Sequence, residues 1–110
     1  MTTRVTLTDE QRAEVTAGRF VRVGTWTDAA LVGRVRGAWR AYKNECRHRA
    51  LPLDLGARSA MSDDGRFLLC HQHGALYRLE DGRCFAGPCA GMSLEALAIH
   101  EEPDGTLVVG

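Results

Sequence analysis

The sequence predicts an all-β fold: an antiparallel sandwich or open barrel with two cysteine- and histidine-bearing loops at one end. Three observations support this. Twelve glycines in 110 residues imply many tight turns, and so many short strands. Short stretches between those turns alternate apolar and polar side chains, the period of a half-exposed strand. Two boxes rich in cysteine and histidine, Cys46-Arg47-His48 and Cys70-His71-Gln72-His73-Gly74, fall where one strand hands over to the next.

Thr8-Asp9-Glu10-Gln11 has the form of a capping box, with two acids in the first turn to complement the helix dipole. A short helix near residues 9–15 follows, stopped by Gly18. Arg19-Phe20-Val21-Arg22-Val23 reads as a strand. The Leu31-Val32 pair leads into Arg34-Val35-Arg36, Gly37 turns the chain, and Ala38-Trp39-Arg40-Ala41-Tyr42 alternates again. This hairpin delivers the chain to the first box. Trp26 and Trp39 read as core or sheet-face residues. Leu51-Pro52-Leu53-Asp54-Leu55-Gly56 is an irregular loop that packs its leucines inward. Ser62-Asp63-Asp64-Gly65 is a turn, and Arg66-Phe67-Leu68-Leu69 is the strand that feeds the second box. Ala75-Leu76-Tyr77-Arg78-Leu79 leaves it, Glu80-Asp81-Gly82-Arg83 turns again, and residues 94–100 and 106–109 form closing strands around Pro103-Asp104-Gly105. No repeat or linker divides the chain, so residues 1–110 are expected to form one domain, with the metal-binding part at about 44–90.

The chain is 45% hydrophobic and 25% charged with zero formal net charge, which fits a soluble globular protein and argues against nucleic acid as the main partner. Residues 1–60 hold 11 Lys/Arg against 6 Asp/Glu, and residues 61–110 hold 3 against 8, so the halves carry +5 and −5. The plain expectation is that the two halves mingle on one folded surface. No signal-peptide run follows Met1-Thr2-Thr3-Arg4 and no stretch approaches membrane-spanning length, so a cytoplasmic protein with no membrane partner is expected. Four cysteines in a reducing compartment read as metal ligands or buried thiols rather than disulfides.

Two thiolates and two imidazoles suit either a tetrahedral zinc or a [2Fe–2S] cluster in which one iron takes both histidines. Zinc fingers pair cysteines before a later His pair on a helix, and no such pairing precedes these histidines. The spacing therefore favours the cluster. Cys-x-His, a gap of the 21 residues 49–69, then Cys-x2-His-Gly resembles the signature of Rieske iron–sulfur proteins. The likeness continues through Tyr77, the Asp81-Gly82-Arg83-Cys84 turn and Gly87-Pro88.

That resemblance implies a Rieske-like fold and a [2Fe–2S] cluster, with Cys46 and Cys70 on one iron and His48 and His73 on the other. It matches Tyr77 to a hydroxyl that donates to a ligand sulfur, and Gly87-Pro88 to a proline loop covering the cluster. Histidine is neutral where thiolate is negative, so family potentials run at about −150 to +300 mV against about −400 mV for all-cysteine ferredoxins. The respiratory-complex branch has two further loop cysteines where this chain has Leu51 and Gln72, and a serine donor where it has Ala75. A low-to-middle potential within the family range is expected. His71 departs from the family's usual proline and reads as a non-ligand. Cys84 and Cys89 read as buried small residues, and His100 as structural.

The implied function is a single-electron carrier between a reductase and a terminal redox enzyme such as an oxygenase. Arg47 and Arg49, flanking His48, could meet an acidic docking surface. The chain is too short to add the iron site of a complete oxygenase, so a component rather than an enzyme is expected. A non-catalytic Rieske-fold subunit, a redox sensor or a zinc-binding adaptor are the alternatives.

Overall fold

The computed structural model describes residues 2–24, 29–47, 52–54, 59–71 and 74–110. His48, His73, Arg49, Trp26, Leu51, Leu55 and Gln72 lie outside these described residues. A short strand, β1 (Thr3–Val5), precedes helix α1 (Asp9–Thr16). The helix begins as its sequence dictates: the Thr8 side chain accepts from the Gln11 N–H while the Gln11 side chain accepts from the Thr8 N–H. Gly18 then turns the chain at φ 92°.

The strands β2 (Val21–Val23), β3 (Ala30–Val35), β4 (Ala38–Lys43) and β8 (Ala96–Leu97) form the central antiparallel sheet. A two-residue turn joins β3 to β4, with Arg36 at φ 53° and Gly37 at φ 80°, the left-handed pair that a tight hairpin requires. A second sheet holds β5 (Phe67–Leu69), β6 (Leu76–Arg78) and β7 (Cys84–Ala86). The third has the order β1, β10 (Leu107–Val109), β9 (Ile99–Glu101).

The central sheet is covered on both faces. Successive side chains on a strand point to opposite faces. Leu31 and Tyr42 accordingly pack with Leu68 and Tyr77 in one core, while Val32 and Ala41 pack with Leu107 and Val109 in the other. The first core surrounds both box cysteines; the second also receives Val15 from the helix. Trp39 lies partly buried on the second core, with the Arg34 guanidinium 4.7 Å from its ring centroid.

Several expected elements take a different form. Residues 94–100 do not make one strand: β8 pairs with β4 and β9 pairs with β10, so the chain changes sheet at Ala98. The reason is that each half has a different edge to complete. Arg19 and Phe20 precede β2, and Phe20 packs into the first core instead. Strands β1 and β7 have no alternating signal of their own; three residues each are held by pairing with β10 and β6. The charged halves do mingle. Arg4 pairs with Glu102, and both Arg12 and Arg34 pair with Glu101. His100 is exposed on β9. No helix among the described residues is long and apolar enough to cross a membrane.

Candidate metal centre

Cys46 follows β4 and is fixed by a buried polar knot. The Asn44 amide donates from Nδ2 to Asp54 Oδ1 at 2.9 Å, and its Oδ1 accepts from the Leu53 N–H at 2.9 Å. Both Asn44 and Asp54 are only 6% exposed, and Asp54 is also paired with Arg22 at 3.4 Å. One side chain thus ties the strand end at 44 to the far side of the first loop at 53–54. A buried polar group without a partner is costly, so these bonds specify where the loop closes.

Cys70 follows β5 in a turn closed by its own backbone. Its N–H donates to Ala75 O at 2.9 Å and its carbonyl accepts from the Gly74 N–H at 3.0 Å. Gly74 turns at φ 75°. The His71 N–H donates to Leu53 O at 2.9 Å, a direct bond between the two loops. His71 turns its ring aside, with Nε2 2.8 Å from Ser59 O. Cys46 and Cys70 are 3% and 1% exposed and belong to the same core.

A third loop, residues 87–91, lies over this region. It closes through Cys84 N–H to Met92 O at 2.7 Å and Gly91 N–H to Cys84 O at 2.9 Å. Gly87 adopts φ 95°, and a Cβ there would stand 2.7 Å from Ala75 Cα, so only glycine lets the loop lie flush on the second box. Pro88 is exposed at the tip and Cys89 points inward. Tyr77, fully buried on β6, joins the first loop to the third. Its Oη stands 3.4 Å from Cys46 Sγ and 2.9 Å from Cys89 Sγ, and accepts from the Arg47 N–H at 3.1 Å. Burial above all, then the hydrogen bonds to Cys46 and Cys89, pushes its pKa far up, so the hydroxyl keeps its proton. Burial likewise pushes the Cys84 thiol up to about 11.

The structure therefore brings together Cys46, Cys70, Tyr77 and the Gly87-Pro88 loop, and leaves His71 and His100 out. The positions of His48 and His73 lie outside the described residues. Reading the sequence missed the Asn44–Asp54 knot, whose one signal was a carboxylate set among leucines. It also missed the contact of Cys89 with Tyr77, which a non-local approach creates.

The arrangement resembles solved structures. The ferredoxin of carbazole 1,9a-dioxygenase from Nocardioides aromaticivorans IC177 superposes with a TM-score of 0.69 at 20% identity, over 100% of this chain and 97% of that one. The reduced complex between oxygenase and ferredoxin in carbazole 1,9a-dioxygenase matches at 0.70 and 20% identity, over 98% of this chain and 27% of that chain. The terminal oxygenase of carbazole 1,9a-dioxygenase from N. aromaticivorans IC177 matches at 0.62 and 24% identity, over 84% of this chain. This chain spans only 26% of that oxygenase's length. At such identities the likeness establishes the fold. No curated protein matches in sequence. The model of the Rieske [2Fe-2S] domain matches residues 6–101. The chain belongs to the Rieske [2Fe–2S] domain family, and a [2Fe–2S] cluster is its cofactor.

Proposed function

We propose that this protein is a one-electron carrier between a reductase and an oxygenase-like acceptor, with Cys46, Cys70, His48 and His73 as the cluster ligands. The observation that carries this reading is the approach of the two box-bearing loops. Cys46 and Cys70 are buried in one core, His71 N–H bonds across to Leu53 O, and the Tyr77 hydroxyl lies against Cys46 Sγ.

The donor set fits the family's cluster: two buried thiols for one iron, and two histidines, two and three residues beyond those cysteines, for the other. When bound, the cluster takes up and releases one electron at a time. The chain's own residues set the conditions. The Asn44–Asp54 knot and the closed Cys70–Ala75 turn hold the two cysteine-bearing loops in place. The loop at Gly87-Pro88 covers the region with a residue that has no N–H to donate. Tyr77 offers a proton toward Cys46 Sγ, which stabilises the more negative, reduced state and raises the potential. Ala75, fully buried and without a hydroxyl, offers none. A potential in the lower or middle part of the family range follows.

Ferredoxin–oxygenase complexes among the structural neighbours support an oxygenase-like acceptor. Arg47 is exposed next to Cys46 and supplies a positive edge for an acidic partner, so association weakens with salt. Buried thiols at Cys84 and Cys89 fit a cytoplasmic setting. Residues 1–110 act as one domain in this reading.

Protein purified without oxygen is expected to contain one [2Fe–2S] cluster per chain with a Rieske-type EPR signal on reduction. Cys46→Ser, Cys70→Ser, His48→Ala and His73→Ala each abolish that signal, whereas His71→Ala keeps it. The reduced protein then passes its electron to an oxygenase in stopped flow, and charge reversal at Arg47 and Arg49 slows the transfer. A single zinc per chain, or a signal that survives the four ligand substitutions, refutes the proposal.

A further inference from the structure

The proposed ligand set uses two of the four cysteines. The other two, Cys84 and Cys89, are buried with their sulfurs 3.3 Å apart. Cys89 directs its S–H at Cys84 Sγ, and Cys84 directs its own at Ala86 O, 3.2 Å away. A thiol has one proton. While that proton is on the Cys84 contact, Cys89 meets Tyr77 as an acceptor. Cys46, as a ligand thiolate, can only accept. The Arg47 N–H already donates to the same phenolic oxygen, so it does not compete for the phenolic proton. Two sulfurs thus contend for one hydroxyl proton, and the shorter contact, 2.9 Å against 3.4 Å, belongs to Cys89.

We propose that Cys89, oriented by Cys84, is a positioning residue of the redox site. It draws the Tyr77 proton from Cys46 and holds the potential below the value that an undivided Tyr77–Cys46 hydrogen bond would set. This rests on the assignment of Cys46 as a ligand. A pair of cysteines that merely fills space would leave the potential unmoved.

Redox titration of the loaded protein, followed by EPR, tests it. Cys89→Ala leaves Cys46 as the acceptor and raises the potential, by up to about tenfold in the one-electron equilibrium, or ~59 mV. Cys84→Ala acts in the same direction, because the released Cys89 S–H turns toward Tyr77 Oη as a donor. Tyr77→Phe lowers the potential, and lowers it further in the Cys89→Ala background than in the parent. A potential unchanged or lowered in Cys89→Ala overturns the proposal. A second readout needs no change at the cysteines. In the loaded protein only Cys84 and Cys89 carry an S–H, and Tyr77→Phe must shift the infrared S–H stretch of Cys89. An unshifted band overturns the proposal as well. Failure of the ligand assignment would show separately, as iron or EPR signal lost from the parent protein, with the S–H bands still reporting the Tyr77–Cys89 contact.

Discussion

Asn44→Ala removes the knot that closes the first loop. Two bonds of 2.9 Å are lost, leaving the Leu53 N–H and one Asp54 oxygen without those partners in a region 6% exposed or less. Each stranded buried group costs about 1–3 kcal/mol, so the loss should be about 2–4 kcal/mol after partial relaxation. That is a large part of the about 5–15 kcal/mol typical of whole domains. The melting temperature should fall by roughly 10–20 °C at this chain length. Arg22→Ala is the control. Its ion pair with Asp54 spans 3.4 Å and the arginine side chain is 43% exposed, so its loss should cost about 1 kcal/mol or less. Urea unfolding of the loaded proteins by circular dichroism gives the stabilities, and iron release to a chelator gives the lability of the site. Asn44→Ala should be much the less stable and release iron faster. Equal losses in the two variants, or a cost near zero for Asn44→Ala, would refute the reasoning.

Gly87→Ala meets both a left-handed φ and Ala75 Cα at 2.7 Å, so it should destabilise by about 2–4 kcal/mol in urea melts and loosen the cover loop. Arg36→Asn, at the exposed φ 53° position of the hairpin, should stabilise by about 0.5–1 kcal/mol in the same melts, since asparagine tolerates that conformation better. Tyr42 is pushed up from 10.0 to about 12, chiefly by burial. Its proton is held more tightly in the folded state, so stability is kept below pH 10 and lost as pH rises to 12. Tyr42→Phe should flatten that part of a urea-midpoint profile while lowering it throughout, since the bond to Leu79 O is also lost.

The helix cap was legible because it is local: Thr8 and Gln11 satisfy one another within four residues. The hairpin around Gly37 was legible for the same reason. What local pattern could not reveal was the burial of the central sheet on both faces. Leu31 and Val32 are adjacent in sequence yet serve different cores, and only the packing of two further sheets makes each of them interior. Strands of two or three residues such as β7 and β8 follow from the partners available to them rather than from their own propensity.

The boxes themselves were written in the chain, because the metal-binding capacity of thiolate and imidazole depends on residue type and short spacing. Tertiary structure alone decided what surrounds them. Asn44 meets Asp54 across a loop, Gly87 lies on Ala75, and Cys89 reaches Tyr77 only because β6 and β7 pair and the chain turns back at Pro88. Residue identity determines which groups can bind iron, whereas their hydrogen-bonding environment is set by contacts between residues distant in sequence, and those contacts exist only once the sheets are packed.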